Sequence, residues 1–314
     1  SFPPAPASSE LIDNVRMLLS RLKIAKPDQK DGLILQLSGL SDSGAYQASL
    51  LPTSEEETVY YLKSSLMRSK DPEAVPYLVH ALESDKLFVQ LESITLLGIL
   101  GNLDVTRHLR PFLADSVPAI KSAAIGALQQ LADPYAVEGI AELVGDQDDM
   151  VRVAAINASL ELGKTHNRMD LVSESVRRNL NGADGRVAKE LLSMVSRGKM
   201  AELWKSVLPF LSDPDALLRK TAAVTLQGIE VPETAEIVVT RLQQEDDLRT
   251  LIELTRAASK IKSTTAVPAL IHLLGHADPD VVQASAASLE ALTRQHFGTN
   301  KSKWTQWWDL NQTK

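Results

Sequence analysis

The sequence predicts an all-α fold, a right-handed α-solenoid of about seven helical hairpins behind an N-terminal helical cap. Three observations lead there. From Asp71 onward, short amphipathic segments return at roughly 30 to 35 residues, the spacing of a helix-turn-helix array. Between the paired segments sit acidic or Asp-Pro turns, such as SDPD from Ser212 and HADPD from His276. Aromatic residues make up only 4% of the chain, so Leu, Ala and Val carry the apolar content, which suits closely spaced helices better than strands.

The elements follow in chain order. Ser1 to Ser9, SFPPAPASS, reads as a flexible leader, in which Phe2, Pro3, Pro4 and Pro6 form either a spacer or a polyproline ligand. Leu11, Ile12, Val15, Leu18, Leu19 and Leu22 make an amphipathic helix that Pro27 is expected to close. Leu33 to Leu40 form a second apolar group. Thr53 and Ser54, each with a Glu three residues on, announce a third helix by the capping-box rule. This stretch, 10–70, does not share the later period and is expected to be a divergent cap.

The array, 71–294, opens seven times: EAVPYLVHAL, DVTRHLRPFL, YAVEGIAELV, DLVSESVRRNL, MAELWKSVLPFL, ETAEIVVTRL and TAVPALIHLL, anchored at Val75, Val105, Val137, Val172, Leu203, Ala235 and Val267. A single hairpin such as Thr265 to Thr293 buries too little apolar surface to stand alone, so each unit must stack on the next. Asp in the turns is expected to cap the second helices, and the pairs Ala123-Ala124, Ala154-Ala155, Ala222-Ala223 and Ala286-Ala287 let those helices approach closely. The remainder, 295–314, holds Trp304, Trp307 and Trp308 on one possible helical face. It is expected to cover the last hairpin near Leu289 and Leu292, with Phe297 bridging.

The pattern D-P-x-V-x-x-x-A-A-x-x-L, as in SDPDALLRKTAAVTL and HADPDVVQASAASL, resembles bacterial HEAT repeats, including the HEAT-like repeats of phycobilin lyases, over Asp71 to Thr293. The tail from Leu292 to Trp308 is similar to the F-G then W-x-x-W ending of some bacterial HEAT-repeat proteins. The resemblance implies a scaffold fold that many unrelated activities share. HEAT-fold di-iron hydroxylases use His-Glu steps, and no His here is followed by Glu. The units beginning at Asp170 and Glu233 depart most from the pattern.

Composition narrows the function. A formal charge of −7 disfavours nucleic acid, including the basic concave face of HEAT-like DNA glycosylases. No apolar run reaches the roughly 20 residues of a spanning helix. The absence of cysteine removes disulfides, thiolate metal sites and cysteine nucleophiles, and is read as mildly favouring an oxidising, extracytoplasmic setting in a bacterium, with the cytoplasm as the alternative. No nucleophile elbow, phosphate-binding Gly loop or HExxH occurs, and His272 with His276 lacks a third ligand. No catalytic residue, cofactor or metal is therefore assigned.

The expected activity is non-enzymatic: a scaffold or adaptor that binds a protein or peptide on its curved second-helix surface. The candidate contact residues are Lys121, Ser122, Asn157, Glu161, Lys189, Lys220, Gln227, Gln283 and Glu290, a mixed-charge strip left over once the anchors and Ala pairs turn inward. The alternative is a phycobilin-lyase-like enzyme or chaperone handling a tetrapyrrole. Lys121, Arg152 and Arg219 share one position after acidic turns, and are read as a structural ladder of ion pairs in preference to a binding column.

Overall fold

The computed structural model describes residues 5–311, and among them all regular structure is helical. Phe2, Pro3 and Pro4 of the leader lie outside the described residues. The chain divides into two compact units, Ser1–Val172 and Ser173–Lys314. The first contains α1 (Ser9–Ile24), α2 (Pro27–Ser38), α3 (Gly44–Ser49), α4 (Glu56–Ser69), α5 (Val75–Ala81), α6 (Leu87–Leu100), α7 (Thr106–Leu109), α8 (Pro118–Gln130), α9 (Val137–Ala141) and α10 (Asp149–Thr165). The division falls inside α11 (Met169–Leu180), in the hairpin that departs most from the sequence pattern. The second unit continues with α12 (Gly185–Gly198), α13 (Trp204–Val207), α14 (Ala216–Ile229), α15 (Ala235–Gln244), α16 (Leu248–Lys260), α17 (Val267–Leu273), α18 (Pro279–Thr293) and α19 (Lys301–Asn311). None of the helices among the described residues is long and apolar enough to cross a membrane.

In the first unit α4, α6, α8 and α10 pack in succession, and in the second α12, α14, α16 and α18 do the same. Each of these second helices turns back from a shorter first helix and packs on its neighbouring counterparts within its own unit. That nearest-neighbour stacking is what defines an α-solenoid.

The repeat is written into the helix ends. Asp148, Asp184, Asp215, Asp247 and Asp278 cap α10, α12, α14, α16 and α18, each side chain accepting from a backbone N–H two or three residues on. Past the far ends of these helices and of α8, a non-glycine residue takes the left-handed conformation: Ala132, Asn167, Lys199, Glu230, Lys262 and Arg294, in steps of 35, 32, 31, 32 and 32 residues. A residue there lets the chain reverse after the last turn of helix. Helix α6 ends differently, on the extended Gly101 (φ −77°, ψ −177°). A Cβ on Gly101 would stand 2.4 Å from the Leu97 carbonyl oxygen and 2.6 Å from Val105, so the close approach requires glycine.

Several first helices are short α segments that tighten into 3₁₀ turns, as at Arg110–Ala114 and Leu208–Ser212. Pro111 and Pro209 fall at the junctions, where their missing N–H groups remove an α-type bond.

Two local expectations are corrected. Pro27 does not close α1, which ends at Ile24; it starts α2, where a missing N–H costs nothing. The capping box before α4 does not form: the cap position is Glu55, without a side-chain bond, and the Ser54 hydroxyl donates back to Leu50 O at 2.8 Å.

At the far end, Trp304 is fully buried. Phe297 meets its ring edge-on at 4.9 Å, and its indole N–H donates to Gly298 O at 2.8 Å. The helix along which α19 lies is α17, where Lys301 also reaches His272 O at 3.4 Å; the expected support, Leu289 and Leu292, belongs to α18. Trp307 and Trp308 are half-buried.

Candidate interaction surface

The outward face of the second unit follows from the register of its caps. Measured from each capping Asp, Lys189, Lys220, Ile252 and Gln283 occupy equivalent positions on α12, α14, α16 and α18, in steps of 31, 32 and 31 residues. One turn later come Ser193, Val224, Arg256 and Ala287, and one turn earlier Arg186, Leu217, Arg249 and Asp280. All twelve are exposed or half-exposed, while the residues between them, such as Leu191, Leu192, Ala222, Ala223 and Leu254, are buried.

This face is basic in an acidic protein. Helices α12, α14 and α16 carry Arg186, Lys189, Arg197, Arg219, Lys220, Arg249, Arg256 and Lys260 against Glu190 and Glu253, although the chain as a whole has a formal charge of −7. Lys189, Lys220, Arg249 and Lys260 make no ion pair among the described residues. A field of one sign on a preformed surface attracts the opposite charge and orients its approach. Net charge alone could not reveal it, because most acidic residues lie elsewhere; on this face Asp280 of α18 is the acidic exception among the twelve positions.

Between α16 and α18 the face opens into a groove of about 760 Å³. Ile252, Ala284 and Ala287 form its apolar floor, Arg256 and Lys260 stand on one wall, and Asp280 and Gln283 on the other. Ala287 was expected to turn inward with Ala286. Only Ala286 does, and Ala287 is exposed where its small side chain leaves room.

The nine candidate residues fall into two groups. Lys189, Lys220 and Gln283 share the column just described and Gln227 lines the groove; Asn157, exposed on α10, is not free of partners. Others are already engaged or buried. Lys121 pairs with Asp146, Glu161 accepts from Gln129, and Glu290 accepts from the Gly298 N–H at 3.2 Å; Ser122 has a buried hydroxyl. Gln227 also donates to Glu253, to the backbone oxygen at 2.9 Å and the carboxylate at 2.8 Å. Arg249, Arg256, Lys260 and Ile252 were not singled out from sequence; their alignment with Lys189 and Lys220 from the Asp caps was the available signal.

The ladder read from sequence is present. Lys121 on α8 reaches Asp146 in the turn before α10, and Arg219 on α14 reaches Glu245 in the turn before α16 at 2.9 Å. The buried Arg152 uses its own turn, Asp149 at 2.6 Å and Asp146 O at 2.8 Å. The Glu245 side chain is buried and also takes Arg241 at 3.0 Å and the Asp247 N–H at 3.0 Å. Burial pushes its carboxyl up, yet the bonds from Arg219, the Asp247 N–H and Arg241 outweigh it and hold the pKa at about 2. These cations serve the turns. Of the histidines, His276 accepts the Asp278 N–H on Nδ1 at 3.0 Å, and so acts as a turn residue.

Residues 205–292 match the family of HEAT repeats. No curated protein matches the sequence. Among solved structures, YibA of Escherichia coli is similar with a TM-score of 0.51 at 16% identity, over 86% of this chain and 99% of that one. Kap95p, in a structure describing how its binding alters the switch loops of RanGDP, is similar with a TM-score of 0.61 at 13% identity, over 90% of this chain but 47% of Kap95p. The complex of CpcE and CpcF of phycocyanin lyase from Nostoc sp. gives a TM-score of 0.38 at 17% identity, over 76% and 94%; a likeness that slight leaves the tetrapyrrole alternative unsupported. The period and the capped second helices agree with that match: residues 205–292 are HEAT repeats, set within an α-solenoid.

Proposed function

We propose that this protein is a non-enzymatic interaction scaffold that binds a protein or peptide on the second-helix face of α12, α14, α16 and α18. The groove between α16 and α18 carries the reading. It is preformed, its floor is apolar and its walls hold charged groups on rigid helices, so a partner would gain apolar burial and fixed polar contacts with little ordering of the scaffold. Lys189, Lys220, Gln227 and Gln283 are the sequence candidates on this face, joined by Ile252, Arg256 and Lys260. The proposed organisation keeps 10–70 as a cap, 71–294 as the array and 295–314 as the cover of its last hairpin.

The test is comparative capture from the source organism with three forms of the chain. Wild type and Trp308→Ala should retain the same partner, whereas Ile252→Arg combined with Ala287→Arg, which fills and charges the groove floor, should lose it with an unchanged melting temperature. Retention by the groove variant together with loss by Trp308→Ala would move the binding surface to the tail.

A further inference from the structure

Resting on that reading of the face, we infer that its occupant is an extended acidic segment with carboxylates at every third residue, followed at the same interval by an apolar side chain. The spacing comes from the helices. Neighbouring packed helices lie about 8–10 Å apart, and an extended chain advances about 3.3–3.6 Å per residue, so a strand crossing the face moves one helix in about three residues. Along the column that such a strand would follow stand Lys189, Lys220, Ile252 and Gln283. The two lysines make no ion pair among the described residues and face outward, so they match two carboxylates. Ile252 then opens onto the Ala284 and Ala287 floor, which takes an apolar side chain. Beyond it, Asp280 repels a further acidic residue, which fixes where the acidic run stops.

A single-stranded nucleic acid would use the same charge, but its binding surfaces place aromatic side chains among the cations for bases to stack on. Helices α12, α14, α16 and α18 contain no Phe, Tyr or Trp, and apolar Leu217, Val224 and Ile252 stand among the basic residues. The face therefore suits carboxylates separated by side chains better than closely spaced phosphates.

The experiment measures fluorescence anisotropy of labelled 12-residue peptides with the full chain. Two probes carry Glu-x-x-Glu-x-x-Leu and its reversed order in a Ser/Gly background; a third has the same composition with the two Glu residues adjacent; the fourth probe is a 12-nucleotide oligo-dT. One spaced order should bind at least about tenfold more tightly than the adjacent-Glu isomer, weaken with added salt, and lose about tenfold or more in the Lys189→Glu, Lys220→Glu double variant. Ile252→Ala should weaken the spaced peptide but leave the adjacent-Glu isomer unaffected. Equal binding of the isomers, no binding of either order, or tighter binding of oligo-dT would overturn the assignment. In those cases, loss of the native partner by the Ile252→Arg, Ala287→Arg variant would still uphold the groove as an interaction site, so the two statements fail separately.

Discussion

The two units build the same stack of second helices and finish it differently. In the first, the hydroxyls of Ser65, Ser93, Ser122 and Ser159, one on each of α4, α6, α8 and α10, are buried without a hydrogen-bond partner. In the second, buried hydroxyls tie one helix to another: Thr225 donates to Leu192 O at 3.0 Å, Thr250 to Ala216 O at 3.2 Å and Ser288 to Thr255 O at 2.9 Å. The outward faces diverge too. Tyr60, Met67, Leu87, Met150 and Val153 are exposed on α4, α6 and α10, whose charges with those of α8 balance, whereas α12, α14 and α16 are basic. A repeat thus fixes where helices lie without fixing what their faces offer, and the unit whose helices are tied by these hydroxyl bonds is the one carrying the groove. A stiff support limits what a bound partner must order.

The largest expected effect belongs to the aromatic cover of the second unit. Trp304→Ala should cost about 3–5 kcal/mol, because it empties a fully buried site and strands the Gly298 carbonyl, and it should appear as a fall in melting temperature. An unchanged midpoint would make the tail a recognition element.

Next is the buried carboxylate. Glu245→Gln should destabilise by about 3 kcal/mol at neutral pH, since Arg219 and Arg241 lose their shared counter-charge. The folded pKa of about 2 lies below the ordinary value of 4.5, so the stabilisation is complete above about 4.5 and disappears as pH falls towards 2. Acid titration of stability should therefore be steeper over that window in wild type than in Glu245→Gln. Parallel curves would show that Glu245 is not linked to folding.

The hydroxyl contrast is sharper in sign than in size. Ser288→Ala and Thr225→Val should each cost about 1 kcal/mol, whereas Ser93→Ala and Ser159→Ala should be neutral or stabilising by up to about 1 kcal/mol, because no bond is lost and a buried polar group is removed. Equal losses in both units, measured by urea denaturation, would erase the distinction. Smallest is the effect of Lys189→Glu with Lys220→Glu on stability, expected within about 0.5 kcal/mol because neither lysine serves a turn.

Much of the fold was legible because the repeat acts through local chemistry. Asp184, Asp215, Asp247 and Asp278 cap from within the turn itself, and the apolar spacing of segments such as TAVPALIHLL needs no tertiary information. Pro27 and Ser54 misled because the same residue types start helices, end them or bond backward, and a neighbouring segment decides which. The candidate surface was legible only in part. Lys189, Lys220 and Gln283 could be placed by periodicity, but the engagement of Lys121 and Glu161 depends on the adjoining hairpin, and the exposure of Ala287 on the groove beside it.

The most direct measurement places a photo-crosslinking amino acid at Ile252 in the groove or at Val153 on the apolar face of α10, and exposes each form of the chain to extract of the source organism. Position 252 should give a discrete protein adduct that an excess of the spaced acidic peptide suppresses, with no such adduct from 153. A discrete adduct from 153 and none from 252 would contradict the central claim, and would place binding on the first unit.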